Sequence, residues 1–372
     1  MPTPPAYVAD QDLGEMDSEE DFSFPPAERR VITQPLDLSV QTLDEQWRNK
    51  QLVLPEIQRE YVWDNPKASR LIESLLLNIP IPVLYFAETE EAKYEIFDGH
   101  QRVLSIVNFL AGLFPLAGLA VLREYRGMRF LELPEREQRF LKMRTLRTIL
   151  ISIDSHPNMK FEIYERLNTG SISLNAQELR NSIYRGSFNN LLHSLAKHQA
   201  FRALLGTKTP RKRMVDEEAI LRFFAMRAKI GTYRTPLKKF LNEYMSEMRN
   251  STDAQIEEYR AVFEHAVNTT NSLLGSSAFR VLGPNGWPIE AAVNRALLES
   301  QLLACSWVTA DQNVDPDNVK HSMATLFQHE LFLDAVQRAT GDRSRTLRRA
   351  RQTVTALRDA GVQVEVPYNL NA

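Results

Sequence analysis

Apolar residues recur along the chain in two rhythms, and the change of rhythm marks the elements. Between Val40 and Lys50, Leu43 and Trp47 stand one turn apart on a polar background, which predicts a helix. Leu52 to Leu54 reads as a short strand broken by Pro55. "DNPKASRLIESLLLNIPIP" then predicts a helix with Asn65 as N-cap and Pro66 at the first helical position. Leu71, Ile72, Leu75 and Leu76 form its apolar stripe, and Pro80 and Pro82 stop it. "VLYFAE" and "KYEIFD" flank a polar "TEEA" turn and predict two strands. A helix follows in "QRVLSIVNFLAG", with Val103, Ile106, Val107 and Leu110 on one face and Gly112 at the C′ position. A further strand is expected from Ile149 to Ile153.

After Pro157 the pattern is almost wholly helical. Asn175 and Glu178 have the three-residue spacing of a capping box. Amphipathic segments continue to a last helix near Arg343–Arg358, with Leu347, Ala350, Val354 and Leu357 on one stripe. The reading is therefore an α/β (α+β) domain over residues 36–156 followed by a mainly α-helical domain over 157–372. Residues 1–35 are rich in proline and acid and lack periodicity, so a disordered tail is expected there.

Charge sharpens this division. The net charge of −2 hides eight acids against two arginines in residues 1–30, a net −6, so the remaining chain is +4. A mildly basic body is compatible with nucleic acid. One cysteine, Cys305, excludes a disulfide framework and a thiolate metal cluster within the chain. No apolar run has the ~18 residues needed to cross a bilayer, and no leader pattern opens the sequence, so no membrane contact and a cytoplasmic protein are expected.

Two stretches carry candidate chemistry. In "FDGHQR" a strand ends at Asp98-Gly99 and a helix opens on His100, Gln101 and Arg102. The first N–H groups of a helix lack intrahelical partners and sit at the positive end of its dipole, an arrangement suited to phosphate. Arg102 can add a charge-assisted contact. Asp98 would oppose phosphate unless it orients water, holds Mg²⁺ or pairs with an arginine. The plainer alternative is an ordinary turn followed by a surface arginine. In "LPEIQREYVWD", Gln58 and Arg59 precede Tyr61 and Trp63. Aromatic faces beside arginine suit a stacked base, yet alternate aromatics equally suit a core strand. Two basic clusters are candidate DNA contacts: Lys208, Arg211, Lys212 and Arg213 in "KTPRKR", and Arg343, Arg345, Arg348, Arg349 and Arg351 in "RSRTLRRAR", where solvated faces are the alternative.

Taken together and in order, "LPEIQREYVW", "LIESLLLNIPIPVLYFAE", "FDGHQRVLSIVNFL", "YERLNTGSISLNAQELRNSIY" and "RMVDEEAILRFFA" resemble the N-terminal domain of GmrSD-type restriction endonucleases over about Leu36–Lys229. That domain is similar to the ParB/sulfiredoxin superfamily. The resemblance implies a component of anti-phage DNA restriction and an Asp-Gly-Gln-Gln-Arg signature linked to nucleotide binding and hydrolysis. Here the signature falls on Asp98, Gly99, His100, Gln101 and Arg102, and the accompanying motifs on Gln58, Arg59, Tyr61 and Trp63 and on Asn168, Thr169 and Gly170. On this basis Asp98, His100, Gln101 and Arg102 are the catalytic candidates. Gln58, Arg59, Tyr61, Trp63, Gly99, Asn168 and Thr169 are the nucleotide-binding ones. GTP or ATP is the expected ligand, with Mg²⁺ at Asp98.

The sequence departs from the family twice. His100 stands where the family usually has Gln, which bears on hydrolysis more than on binding. Many relatives also carry a C-terminal His-Asn-His nuclease module, and no such pattern follows residue 230. His321 and His329 lie eight residues apart, two turns along one expected helix face, too far for an adjacent-turn metal pair. The expected partners are DNA, a nucleotide, a separate nuclease and a second copy in a homodimer. Two alternatives stay open: a catalytically silent DNA-binding sensor or adaptor, and a metal-dependent ParB-like nuclease.

Overall fold

The computed structural model describes residues 29–54, 61–167, 174–309, 314–367 and Leu370. They divide into two compact units, Phe24–Leu174 and Asn175–Ala372. The first is mixed α/β with a small sheet and the second is helical, as the pattern predicts.

In the first unit the elements are β1 (Thr33–Pro35), β2 (Leu38–Ser39), α1 (Val40–Arg48), β3 (Leu52–Val53), α2 (Asn65–Leu76), β4 (Leu84–Glu88), β5 (Tyr94–Asp98), α3 (His100–Leu110), α4 (Glu135–Met143), β6 (Thr145–Leu146), β7 (Thr148–Ile151) and α5 (Pro157–Leu167). The five-stranded sheet has the order β1-β7-β4-β5-β3. β4 runs parallel to β7 and antiparallel to β5, and β3 lies parallel to β5. Strands β2 and β6 form a separate antiparallel pair.

Helices α1, α2 and α3 bury Leu43, Ile72, Val103, Ile106 and Phe109 with Leu84, Phe86 and Ile96 of the sheet in one core. Burying each such side chain contributes roughly 1.5–3 kcal/mol. Gly112 has φ +71°, the left-handed backbone expected just past the end of α3.

Several boundaries differ from the sequence reading. Thr33–Pro35, assigned to the tail on composition, pairs antiparallel with β7 through Thr33 opposite Ile151 and Pro35 opposite Ile149. All three residues are exposed, so the strand has no apolar alternation to reveal it, and Pro35 is tolerated because the strand is at an edge. The N-cap of α2 is Asp64, whose side chain accepts the Lys67 N–H at 2.9 Å, which moves Asn65 inside the helix. The strand expected at Ile149–Ile153 is shifted to Thr148–Ile151. The domain boundary also moves: α5 belongs to the first unit, where Tyr164 stacks on Phe97 of β5 with ring centroids 3.5 Å apart.

One buried carboxylate fixes the long connection after α3. Glu73 accepts the main-chain N–H groups of Ala120, Val121 and Leu122 at 2.7–3.1 Å. Burial raises its pKa, but the donors from Leu122, Ala120 and Val121 outweigh burial and hold the group below the usual range.

The second unit comprises α6 (Ala176–Ile183), α7 (Ser187–Ala196), α8 (Gln199–Leu205), α9 (Val215–Lys229), α10 (Leu237–Met248), α11 (Asp253–Leu274), α12 (Arg295–Cys305), α13 (Pro316–Leu326), α14 (Glu330–Gln337) and α15 (Arg343–Asp359). Asn175 and Glu178 form the expected capping box at the start of α6. Phe188 meets Phe224, Tyr244 and Tyr259 edge-on at 5.5–5.8 Å in the core. His321 lies on α13 while His329 is the N-cap of α14, so the single helix expected across them is broken and they share no face.

Candidate functional site

The site is built where β5 hands over to α3. Gly99 joins them with φ +95°, and a Cβ there would lie 2.3 Å from Leu84 Cδ2. Both the left-handed backbone and the missing space require glycine. The start of α3 has no side-chain cap, and Asp98 just before it is 42% exposed.

Arg102 is turned inward. Its Nη2 donates to Asp98 Oδ2 at 2.8 Å, and its Nη1 donates to the carbonyls of Pro82 and Val83. The side chain is only 12% exposed. Burial pulls the guanidinium pKa below its usual value, and Asp98 opposes that by proximity and by hydrogen bonding. Of the open possibilities for Asp98, the arginine pair is therefore the one present. Arg102 locks the mouth of α3 to the segment leading into β4.

Gln101 has a second internal task. Its Oε1 accepts the main-chain N–H groups of Val62 at 3.0 Å and Trp63 at 3.2 Å, and its Nε2 lies 2.8 Å from His100 Nε2. Because the oxygen must face two donors, the amide nitrogen faces His100. The His100 Nε2 is then an acceptor, which places the ring proton of neutral His100 on Nδ1.

Tyr61 and Ser105 extend this link. Ser105 Oγ donates to the Gln101 carbonyl at 2.7 Å and lies 3.0 Å from the Tyr61 hydroxyl, so the tyrosine is the donor of that second bond. Trp63 packs against the core, with Lys67 Nζ 4.9 Å from its ring centroid. Tyr61, Trp63, Asp98, Gly99, His100, Gln101 and Arg102 are thus brought together. Gln58, Arg59, Asn168 and Thr169 lie outside the described residues. Ser105 escaped the sequence reading; the signal available was a hydroxyl inside the otherwise apolar run "RVLSIVNFL".

The basic clusters fare unevenly. Arg211 binds the buried Asp216 carboxylate at 2.7 Å, together with Arg202, and Arg213 pairs with Glu178 at 3.1 Å. Lys208 and Lys212 stay exposed. Arg349 corrects the expectation: at 1% exposure it is paired with buried Glu299 at 2.6 Å, on the core side of α15. Arg345 pairs with Asp334 at 2.7 Å, and Arg348 is half-buried at the surface.

Among the described residues, no three His, Cys, Asp or Glu side chains cluster as a metal site. No helix among them is long and apolar enough to cross a membrane.

The stretch holding this whole assembly, residues 41–185, matches the family described as GmrSD restriction endonuclease, N-terminal domain. This stretch is similar to the N-terminal domain of GmrSD restriction endonucleases. The match begins in α1 and ends two residues beyond α6, so it takes in the Asn175–Glu178 capping box as well as the Asp98–Arg102 turn. No curated protein and no solved structure shows a match to the chain.

Proposed function

We propose that this chain is a nucleotide-binding, NTP-hydrolysing component of a prokaryotic DNA-restriction system. Its nucleotide is GTP or ATP, its first unit has the ParB/sulfiredoxin type of fold, and a separate nuclease supplies cleavage. The observation that carries the reading is the bond from Gln101 to the main chain of Val62 and Trp63. It ties the "FDGHQR" turn to the end of "LPEIQREYVW", 38 residues earlier in sequence.

In this reading the uncapped start of α3 and Gly99 face the phosphates, and the partly exposed Asp98 faces the attacking water or a Mg²⁺. A single carboxylate suits Mg²⁺ in such a role, because that ion keeps several waters and takes its other ligands from the phosphates. When bound, Mg²⁺ would neutralise charge on the nucleotide. Arg102 keeps Asp98 in one orientation, and Gln101 and Tyr61 hold the segment that follows Gln58 and Arg59. Phosphoryl transfer through a loose transition state depends on positioning and electrostatics, which such an assembly supplies without a nucleophilic side chain.

A second reading is a silent sensor that binds nucleotide without turnover. It is favoured by Gln101 and Arg102, whose polar groups are engaged in internal bonds. Phosphate release from each of the four NTPs by the full chain, with and without DNA, separates the two, beside an Asp98→Asn variant. Turnover lost in the variant with binding retained is the expected result. Binding without turnover in the parent protein establishes the sensor, and no binding by the parent refutes both.

A further inference from the structure

Helix α15 carries six arginines and one aspartate over Arg343–Asp359. Two of the arginines are paired with carboxylates, Arg345 with Asp334 and Arg349 with Glu299, and Arg358 lies at the far end of the helix, bonded to the Val364 carbonyl. The others sort differently. Ser344, Leu347, Arg348 and Arg351 follow the i, i+3, i+4, i+7 spacing of one helix face, and that face lines a groove of about 760 Å³. Arg343 and Gln352 extend the lining on α15, and Thr232 closes it from the turn after α9.

Two of the arginines are held in place by main-chain carbonyls. Arg343 Nε donates to Tyr233 at 2.8 Å, and Arg351 Nε donates to Leu370 at 2.8 Å. Neither bond neutralises the guanidinium, so both positive charges remain on the groove. No carboxylate lines it among the described residues. The Gln352 amide adds a neutral hydrogen-bonding group beside the charges, whereas the Ser344 and Thr232 hydroxyls donate within the protein, to the Asp342 carboxylate and the Lys229 carbonyl.

We infer that this groove binds the phosphodiester backbone of a nucleic acid, with Arg343, Arg348 and Arg351 as its phosphate contacts. From Arg343 to Arg351 the helix rises roughly 12 Å at ~1.5 Å per residue. That length spans three to four phosphates of one strand at ~3.4 Å of duplex axis each. The groove thus matches a run of phosphates better than the compact triphosphate of a single nucleotide. Arginine's planar fork suits phosphate oxygens, and the polar groups between the arginines recognise no particular base. The site is independent of the turn at Asp98, and it stands whether or not that turn hydrolyses a nucleotide.

The test is binding of a fluorescent 20-base-pair duplex to the full chain without nucleotide, titrated over NaCl concentration. Each neutralised phosphate contributes about −0.9 to the slope of log K against log salt. Arg348→Ala is expected to make the slope shallower by about one and to weaken binding roughly eightfold at 0.1 M salt. Arg348→Lys, which keeps the charge, is expected to retain most of the affinity. Among the described residues Arg348 donates no hydrogen bond and acts within the fold only through its charge beside Asp334, so a thermal midpoint close to that of the parent checks that the unit is intact. A parent protein that ignores the duplex overturns the inference, as does an Arg348→Ala variant with unaltered affinity and slope. If ATP or inorganic phosphate displaces the duplex at matched ionic strength and equal phosphate concentration, the groove is a small-anion site and the polynucleotide assignment fails.

Discussion

The side-chain oxygen of Gln101 accepts the main-chain N–H of Trp63 at 3.2 Å and that of Val62 at 3.0 Å. One amide, at the first turn of a helix, fixes the course of a distant segment. Gln101→Ala is expected to leave both N–H groups without this acceptor, at a cost of about 0.5–1.5 kcal/mol because water can reach the exposed Val62. It should also open the chain near Val62 to protease. Gln101→Glu keeps an acceptor oxygen and should resist cleavage like the parent. Equal digestion of all three proteins would show that the bond is dispensable.

Gly99 has no substitute. Alanine at this position must adopt φ +95° and place its Cβ 2.3 Å from Leu84 Cδ2. The backbone strain alone is worth about 1–3 kcal/mol, and displacing Leu84 from the core adds to it. A urea midpoint for Gly99→Ala within error of the parent would contradict the geometry of the turn.

The Asp98–Arg102 pair should respond asymmetrically. Asp98→Asn keeps the shape and one acceptor for Arg102, so its unfolding free energy should fall by no more than ~1.5 kcal/mol. Arg102→Lys cannot serve Asp98 and the Pro82 carbonyl together, because a compact ammonium lacks the planar fork. The lysine variant is therefore expected to be the less stable of the two, as differential scanning calorimetry of both would reveal.

Buried ion pairs in the second unit give a pH signature. Burial raises the Glu218 carboxyl, but Arg222 and Arg180 outweigh it and bring its pKa from 4.5 down to about 2. A carboxylate depressed on folding stabilises fully above its unfolded pKa, and that stabilisation is lost as pH falls through the folded value. Stability should therefore decline between about pH 4.5 and pH 2. Glu218→Gln should flatten the decline, which acid titration of the urea midpoint can follow. An unchanged slope would mean that other carboxylates, such as Asp216, dominate the window.

Arg349 should behave as a core residue. Arg349→Ala leaves Glu299 buried without its partner at a cost of about 3–5 kcal/mol. The double change Arg349→Met with Glu299→Leu should recover most of that loss. A DNA contact would show the opposite pattern, with duplex affinity reduced and stability intact.

Residues that bury a face were legible in advance. Leu347, Ala350, Val354 and Leu357 were placed on one stripe by spacing alone, and all four are buried. What escaped depends on partners remote in sequence. Arg348 and Arg349 are adjacent and chemically identical, and the ~100° step of the helix sends one to the groove and the other to Glu299. The inward turn of Arg102 depends on carbonyls twenty residues away. Strand β1 carries no apolar signal because hydrogen bonds to β7, not burial, define it. At the site, the identity of the turn residues was readable, but the division of labour among Asp98, Gln101 and Arg102 was not.

The bond between Gln101 and the Val62–Trp63 main chain also has a thermodynamic reading. Tyr61 is joined covalently to Gln58 and Arg59 through two intervening residues or fewer, so a ligand held by those residues and the closure of this bond would share one free energy. Linkage makes the coupling reciprocal. If fixing the segment tightens ligand binding by some factor, the ligand must strengthen the Gln101 bond by that same factor. The protection of Val62 and Trp63 amides from hydrogen exchange would then report occupancy of the site, even in a chain that turns nothing over.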